Sequence, residues 1–335
     1  MQEMTHHMTH RERVTAALQH KPVDRLPVSV WGHDFLREGS AEDLAAQTIE
    51  KQRAYGYDFV KVNPRWTLFA EPWGNVYKPP QTQEFPRLVE KVVGCAEDMA
   101  ELTPVHRTQQ MLAEHTQALR MVTEEIGAEV DCLATLFSPL AVLGLLCGGV
   151  GRPLTAYLQE DPGAAHKALE HITATLSEHA LDLLDAGASG VFFAPLQWTS
   201  LDVCPETVYT QFGEAYDRRL LDQVAHARFN MLHVCGSNIG LSRFYDYPVH
   251  VLNWDNFDER NPDLQSVAGE TDKVVAGGIP HKRLHRLDES ELAIVANEAV
   301  GDMRQGVMLA GGCGIGALVP HPPREAVVSV ARSLT

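Results

Sequence analysis

The chain has little positive charge, few cysteines and no long apolar run for its length. Its 335 residues include 28 Lys and Arg against 44 Asp and Glu, which gives a formal net charge of −16. This balance disfavours nucleic acid and anionic membrane surfaces as partners, because phosphate binding requires clustered Lys and Arg. No segment contains 18 uninterrupted apolar residues, so no transmembrane helix is predicted.

The six cysteines lack the dense, regular spacing of a secreted disulfide framework. The N-terminal sequence MQEMTHHMTHRER also lacks the apolar core of a signal peptide. We therefore expect the protein in a reducing cytoplasm. Residues 1–10, which include His6, His7 and His10, are interpreted as a flexible tail in preference to a metal chelator.

Short apolar runs alternate with longer amphipathic stretches, which is the pattern of parallel strands connected by helices. Eight runs are predicted as strands: Pro27–Trp31, Phe59–Asn63, Val130–Phe137, Gly190–Ala194, Phe229–His233, Val249–Trp254, Lys273–Gly278 and Val307–Ala310. Asp161 and Pro162 predict a helix start, Gly187 predicts its end, and the last helix is predicted near Arg324. Eight such units favour an α/β fold, a single (β/α)8 TIM barrel, over an open doubly wound sheet.

One domain is predicted to span residues 1–335, with an N-terminal helical extension before the barrel. The longest stretch without a predicted strand covers residues 64–105 and includes Trp66, Trp73 and Tyr77. This insertion after the second strand is either a lid over the barrel mouth or a flap over one edge of the barrel. The sequence has no glycine fingerprint of a dinucleotide-binding fold.

Two short segments contain the residues with the most specific chemistry. His233 ends the fifth predicted strand, Cys235 follows it, and Cys313 follows the eighth strand in a glycine-rich segment. Both segments are predicted at the C-terminal face of the barrel, where TIM barrels have their active sites. His233 and Cys235 point to one side because strand side chains alternate, and Cys313 reaches that side from across the mouth. Three such ligands with one open position are typical of catalytic zinc, whereas buried cysteines near a histidine without metal are the alternative.

Several further segments match the pattern of a known family. Over nearly its whole length the sequence resembles the uroporphyrinogen decarboxylase superfamily, and within it the zinc-dependent cobalamin methyltransferases, a branch that includes methylcobalamin:coenzyme M methyltransferases. The segments with this resemblance are Arg11–Val14, Ala16–Leu18, Pro22, Asp24, Arg25, Pro27, His233–Gly236, Gly311–Gly314 and Pro320–Val327.

The resemblance implies a catalytic zinc site made by His233, Cys235 and Cys313. It also implies Asp255 as a further zinc ligand, at a position where this branch favours Glu; a loop carboxylate or helix cap is the alternative. The implied reaction moves a methyl group from methylcobalamin to a zinc-bound thiol. Since the chain has no D-x-H-x-x-G motif for cobalamin, the methylcobalamin would be presented by a partner corrinoid protein. Monomer and homodimer both stay open.

The decarboxylase branch fits less well. That branch has a pair of arginines after its first strand for the substrate's carboxylates, whereas the matching stretch here has Arg37 alone. Asp58 is either the counterpart of that branch's catalytic Asp or a strand-start residue. Two more alternatives stay open: a zinc methyltransferase with another donor or acceptor (homocysteine, a folate, a methylated amine or a methoxylated compound), and a barrel that binds zinc or a corrinoid protein without turnover.

Residues at or just after strand ends are predicted to line the substrate pocket. Asn63 and Gln197 would fix a polar substrate tail, and His33 would accept a proton from the thiol, while apolar walls exclude water. Ordinary packing is the alternative for each of them. The predicted substrate-binding residues are Trp31, His33, Asn63, Ser138, Gln197 and Trp198.

Overall fold

The strands of this protein are short runs of buried residues. The computed structural model describes residues 7–149 and 154–334, so residues 1–6 of the predicted tail lie outside the described residues. The strands in the described part are β1 (Val28–Ser29), β2 (Phe59–Val62), β3 (Val76–Lys78), β4 (Arg87–Glu90), β5 (Asp131–Phe137), β6 (Gly190–Ala194), β7 (Met231–Val234), β8 (Val251–Trp254), β9 (Val274–Ile279) and β10 (Val307–Gly311). Each of the eight predicted strands overlaps one of them.

Eight of these strands form one parallel sheet in the order β1-β10-β9-β8-β7-β6-β5-β2. The first and last strands of this order meet at a seam, where the Asp58 amide donates to the Val28 carbonyl at 2.9 Å. Farther along the same seam, Asn63 Nδ2 donates to the Gly32 carbonyl at 3.0 Å. These bonds join β1 to β2 at both ends of the seam. The predicted (β/α)8 TIM barrel is therefore confirmed.

Helices surround the sheet and follow most of its strands. Their bounds are α1 (His10–Leu18), α2 (Ala41–Tyr55), α3 (Gln110–Ile126), α4 (Pro139–Leu146), α5 (Leu154–Glu160), α6 (Pro162–Asp185), α7 (Glu206–Tyr209), α8 (Ala215–Val224), α9 (Leu264–Ala268), α10 (Glu289–Val300) and α11 (His321–Ser333). Within the described ranges, no helix has both the length and the apolarity that a membrane crossing needs.

Helix ends follow local chemistry. The Asp161 side chain accepts from the Ala164 amide at 2.9 Å and caps α6, as the sequence predicts. Gly187, with φ of +99°, lies just beyond the end of this helix. The last helix, α11, begins at His321, three residues earlier than predicted. Proline is tolerated in a first helical turn because the amides there have no partner inside the helix, so the prolines do not delay this helix.

The insertion after β2 has regular structure of its own. It contains the antiparallel pair β3 and β4 and two 3-10 helices, Glu71–Trp73 and Glu97–Glu101. Trp66 and Phe85 of this segment line the cavity at the barrel mouth. Phe85 is 62% exposed there.

Two buried aspartates near the N-terminal ends of the strands form ion pairs with arginines. Asp58, just before β2, accepts from Arg13 at 2.7 Å and from Arg25 at 2.6 Å. Asp131, at the start of β5, accepts from Arg228 at 2.7 Å. Asp58 thus belongs to the end of the barrel opposite the predicted active site. This placement favours its interpretation as a strand-start residue over a decarboxylase catalytic acid.

Candidate metal centre and active-site cavity

Three side chains from two separate strand ends meet at the C-terminal end of the barrel. His233 is the third residue of β7, Cys235 follows the last residue of that strand, and Cys313 lies two residues after β10. Their ligand atoms all lie within 4.8 Å of one another. His233 is buried, and the two cysteines are partly buried. One metal ion could contact all three side chains at these separations.

Asn253, on β8, fixes the orientation and the tautomer of His233. Its Nδ2 atom donates to the carbonyls of Ala276 at 2.9 Å and Gly311 at 3.0 Å. The Oδ1 atom therefore faces His233 Nδ1 at 2.6 Å and accepts the proton of that nitrogen. The other ring nitrogen, Nε2, keeps its lone pair, as a metal ligand requires.

A hydrogen bond between the two cysteines shifts their pKa values in opposite directions. The Cys235 thiol donates to the Cys313 sulfur, and with the nearby His233 it holds the pKa of Cys313 well below its usual value. The same bond, together with burial, raises the pKa of Cys235. This bond favours the thiolate form at Cys313, which is the form that binds metal.

The loop that carries Cys313 packs closely against its neighbours at two glycines. A Cβ at Gly312 would lie 2.5 Å from the Asp255 Cα, and a Cβ at Gly32 would lie 2.5 Å from the Ile315 carbonyl oxygen. Both contacts are with backbone atoms, which have little freedom to move aside. The absence of a side chain at these positions therefore lets Cys313 approach the ends of β7 and β8.

The 3-10 helix Leu196–Thr199 and the next residue, Ser200, support the segment after β7. The Thr199 hydroxyl donates to the Cys235 carbonyl at 2.7 Å, and the Ser200 hydroxyl donates to the Ser237 carbonyl at 2.6 Å. Leu196 has a φ of +54°, which is strained for a branched residue, and it lines the cavity. These contacts hold Cys235 from a second side.

Asp255 lies beside the cluster but outside the group of three ligands. Its carboxylate is buried and accepts from Lys282 Nζ at 2.8 Å and from the Phe257 amide at 3.2 Å. His281 is a second neighbour, with its Nδ1 atom 3.9 Å from Asp255. Burial lowers the pKa of His281. The structure thus pairs the predicted ligand Asp255 with a lysine.

A cavity of about 500 Å³ opens directly above the cluster, and its volume is typical of small-molecule sites. The predicted residues Trp31, His33 and Asn63 line it. Its walls are mostly apolar, and the rest of the lining includes Phe35, Lys61, Trp66, Phe85, Phe137, Phe192 and Leu196. The structure therefore brings half of the predicted pocket residues into the cavity that His233, Cys235 and Cys313 also line.

His33 is already engaged by a carboxylate. Its Nδ1 atom lies 2.8 Å from Glu38, which is buried and also accepts from the Asp34 amide. The His33 ring stacks on Phe35 with ring centres 5.0 Å apart. The imidazole is therefore held rigidly at the cavity wall.

The other predicted pocket residues lie outside the lining of this cavity. The Ser138 hydroxyl is buried and accepts from the Ala141 amide at 3.1 Å, which caps α4. Trp198 is buried against α4, where a Cβ at Gly144 would lie 2.5 Å from its ring. Gln197 belongs to the same 3-10 helix as Trp198. Ser138 therefore serves as a helix cap and Trp198 as a packing residue.

Lys61 is the main cavity residue that the sequence prediction missed. Its ammonium donates to Asn63 Oδ1 and lies 4.7 Å from the centre of the Phe192 ring. Burial lowers the pKa of Lys61 to about 8. Alternation along β2 places Phe59, Lys61 and Asn63 on one side of the strand, so a lysine within an otherwise apolar strand was the available signal.

The sequence matches the model of a known family over most of its length. The sequence model of the family described as uroporphyrinogen decarboxylase (URO-D) matches residues 9–334. The chain belongs to the uroporphyrinogen decarboxylase family. Its relatives include a methylcobamide:CoM methyltransferase of Methanosarcina acetivorans, which is 21% identical over 97% of this chain and 98% of the relative.

Two solved structures share the fold of this protein. A methyltransferase from Methanosarcina mazei superposes with a TM-score of 0.79 and 18% identity, covering 97% of this chain and 98% of the other. A B12-independent methionine synthase from Shewanella superposes with a TM-score of 0.61 and 14% identity, covering 92% of each chain. At these identities the likeness establishes the fold alone.

Proposed function

We propose that this protein is a zinc-dependent methyltransferase that moves a methyl group from a methylated corrinoid, presented by a partner protein, to a thiol. The observation that supports this most directly is the convergence of His233, Cys235 and Cys313 beneath an apolar cavity. The methylcobamide:CoM methyltransferase name of a relative that matches over 97% of the chain supports the same reaction class.

The three side chains fit zinc in kind and in number. One imidazole nitrogen and two sulfurs are preferred zinc ligands, and three protein ligands leave one position for a substrate. Asn253 presents His233 Nε2 in the ligating form, and the hydrogen bond from Cys235 lowers the pKa of Cys313. Asp255 is the proposed fourth ligand of the resting state, which it would reach by exchanging its contact with Lys282.

Zinc at this position would lower the pKa of a coordinated thiol and keep its sulfur as a nucleophilic thiolate. The chain's own residues would bind and shield the substrate. Phe137, Phe192 and Leu196 form an apolar wall that excludes water from the transferring methyl group. Lys61 and Asn63 present an ammonium and an amide to the polar end of the acceptor.

The methyl donor would approach from the open side of the cavity. The insertion between residues 64 and 105 borders this opening, and its Phe85 is largely exposed there. We propose that this rim receives the corrinoid protein, in the reducing cytoplasm where thiolate ligands persist.

A decarboxylase with a polycarboxylate substrate is less well supported. Among the described residues that line the cavity, Lys61 is the single Lys or Arg. Arg37 lies outside this lining and pairs with Glu50 at 2.6 Å on the surface. A substrate with many carboxylates would therefore lack cationic partners in the cavity.

The zinc content of the purified protein tests this proposal first. We expect about one zinc per chain by plasma emission spectrometry after purification without a chelating tag. Cys235→Ala and Cys313→Ala should each lose most of this zinc while keeping the far-ultraviolet circular dichroism of the unaltered protein. Cys95→Ala is the matched control, since Cys95 is an exposed cysteine outside the cluster. Zinc-free unaltered protein would contradict the proposal.

A methyl-transfer assay is the second test, and it shows which thiol is the acceptor. Methylcobalamin, free or bound to a corrinoid protein, is mixed with the zinc-loaded enzyme and either coenzyme M or homocysteine. The loss of methylcobalamin absorbance should require zinc, a thiol and both cysteines. Zinc binding without methyl transfer to any acceptor would instead favour a binding protein without turnover.

A further inference from the structure

A second, smaller pocket lies at the seam between β1 and β2, apart from the metal cluster. The pocket has a volume of about 30 Å³, which is room for about two water molecules. Its walls come from β1, β2, α2 and α11. The charged and polar residues that matter here are Ser29, Lys51, Tyr57, Lys61 and Arg324.

The charge in this pocket is all of one sign. Lys51, Lys61 and Arg324 line it, and its described lining contains no carboxylate. Arg324 is 6% exposed, and burial together with the charge of Arg324 lowers the pKa of Lys51 to about 8. Buried cations are costly when no opposite charge faces them, so this arrangement favours a ligand of negative charge.

The nearest carboxylates are bound to other groups. Glu38 accepts from His33 at 2.8 Å, and Glu50 is paired with Arg37 at 2.6 Å. Asp34 accepts from Gln83 at 2.7 Å. These acids weaken the positive field in the seam without making a direct contact to its cations.

Two buried hydroxyls add hydrogen-bonding capacity. The Ser29 hydroxyl is fully buried and has no hydrogen-bond partner among the described residues. The buried Tyr57 hydroxyl lies beside the Arg324 guanidinium, and burial raises the pKa of Tyr57. A buried hydroxyl without a partner costs free energy, and an anion in the pocket could accept from both.

We propose that the seam pocket binds a compact anion, held by Lys51, Lys61 and Arg324 and by the hydroxyls of Ser29 and Tyr57. A halide or a single small oxyanion group matches the volume. This inference stands on the seam residues and does not require zinc or methyl transfer.

The pocket has a route to solvent and a neighbour inside the barrel. A groove of about 360 Å³ between α2 and α11 shares Gln47, Lys51 and Arg324 with it. On the inner side, Lys61 lines both the seam pocket and the cavity above the metal ligands. The anion could therefore be a free ion from solvent or the anionic end of a molecule in the cavity.

Anion-dependent stability of the intact protein tests the site. The melting temperature is measured with bromide, sulfate or inorganic phosphate against potassium glutamate at equal ionic strength, since glutamate is too large for the pocket. We expect at least one small anion to raise it in a saturable manner. Lys51→Met with Arg324→Met should weaken the apparent affinity for that anion by about tenfold or more, while Arg37→Met, in the outer groove, should leave it unchanged.

A crystallographic measurement covers the case in which the double variant fails to fold. Crystals of the unaltered protein soaked in bromide should show an anomalous peak within contact of Lys51 and Arg324. No peak at the seam, or an identical anion response in the unaltered protein and a folded double variant, would overturn the proposal. A competition assay distinguishes the two sources of the anion. If the added anion raises the KM for the acceptor thiol, the pocket binds the anionic end of the acceptor. If the KM is unchanged, the pocket binds a free ion from solvent.

Discussion

His233 Nδ1 and Asn253 Oδ1 lie 2.6 Å apart at the centre of the candidate metal site. Asn253 is itself oriented by the backbone carbonyls of Ala276 and Gly311, which accept from its Nδ2 atom. His233 Nδ1 must therefore be the donor and Asn253 Oδ1 the acceptor. The orientation of His233 therefore depends on three strands, β8, β9 and β10, and the last of these also leads to Cys313. Ligand orientation and barrel structure are coupled through this one amide.

Removal of the Asn253 amide should weaken metal binding more than it disturbs the fold. We expect Asn253→Ala to lower zinc affinity roughly 10- to 100-fold, because His233 loses the partner that fixes its tautomer. Competition with a fluorescent zinc chelator measures this change. Asn230→Ala is the matched control: Asn230 is equally buried and makes two backbone hydrogen bonds at the other end of the barrel. Equal losses of zinc affinity in the two variants would show that general destabilisation is responsible.

A methyl group at Gly312 should displace the Cys313 loop. The added Cβ would lie 2.5 Å from the Asp255 Cα and 3.0 Å from the Trp254 carbonyl oxygen. We expect Gly312→Ala to cost about 1–3 kcal/mol of stability and to reduce zinc content. Chemical denaturation and metal analysis measure the two effects. Gly316→Ala, in the same loop, meets no atom closer than 3.7 Å and should behave like the unaltered protein.

Asp255 and Lys282 should have opposite effects on zinc retention. We expect Asp255→Ala to speed the loss of zinc to a chelator, since the site loses a nearby negative charge. Lys282→Met removes the cation that holds Asp255 at 2.8 Å, and should slow zinc loss by freeing the carboxylate. Stopped-flow chelation measures both rates. If neither substitution changes these rates, Asp255 does not act on the metal, and its role is limited to structure in the loop and the ion pair with Lys282.

A buried histidine pair predicts how stability responds to acid. His115 Nδ1 and His179 Nε2 lie 3.1 Å apart, and burial lowers the pKa of His179 to about 4. Its unfolded pKa is near 6.5, so the unfolded chain binds more protons as the pH falls from about 6.5 to about 4. The folded state should lose up to about 3 kcal/mol over this window through His179.

Buried Asp217 acts in the opposite direction over the same window, since burial raises its pKa to about 7. The effect of His179 must therefore be read as a difference between variants. Urea denaturation from pH 7 to pH 4 should show a smaller stability loss for His179→Leu than for the unaltered protein, with Asp217 common to both. His226→Leu removes an exposed histidine and should keep the original slope. Parallel profiles for His179→Leu and the unaltered protein would contradict this assignment.

The sequence predicts the barrel well because strand periodicity and helix caps are local signals. The run Gly190–Ala194 matches β6 at both ends, and Asp161 caps α6 as its side chain predicts. Local signals do not predict the exact bounds of strands, which depend on hydrogen bonds to neighbouring strands. The segment Pro27–Trp31 reduces to the two-residue strand Val28–Ser29, because β1 lies at the seam.

The site is less predictable because it depends on distances across the barrel. His233, Cys235 and Cys313 could be selected because each follows a strand end and carries a metal-binding group. The sequence does not show that Lys282 holds Asp255, or that the Ser138 hydroxyl faces its own helix instead of the cavity. Such pairings arise from tertiary packing between residues far apart along the chain.

Lys61 should set the preference for an acceptor with an anionic end. It is the single Lys or Arg among the described cavity-lining residues, and its ammonium is oriented by Asn63. We expect Lys61→Met to raise the KM for coenzyme M about tenfold or more, because a charge-assisted contact is lost. The KM for 2-mercaptoethanol, which has no anionic end, should stay nearly constant, as should the zinc content. Lys78→Met, on the exposed strand β3, is the matched control. An equal rise in KM for both thiols would mean that Lys61 shapes the cavity and does not recognise charge.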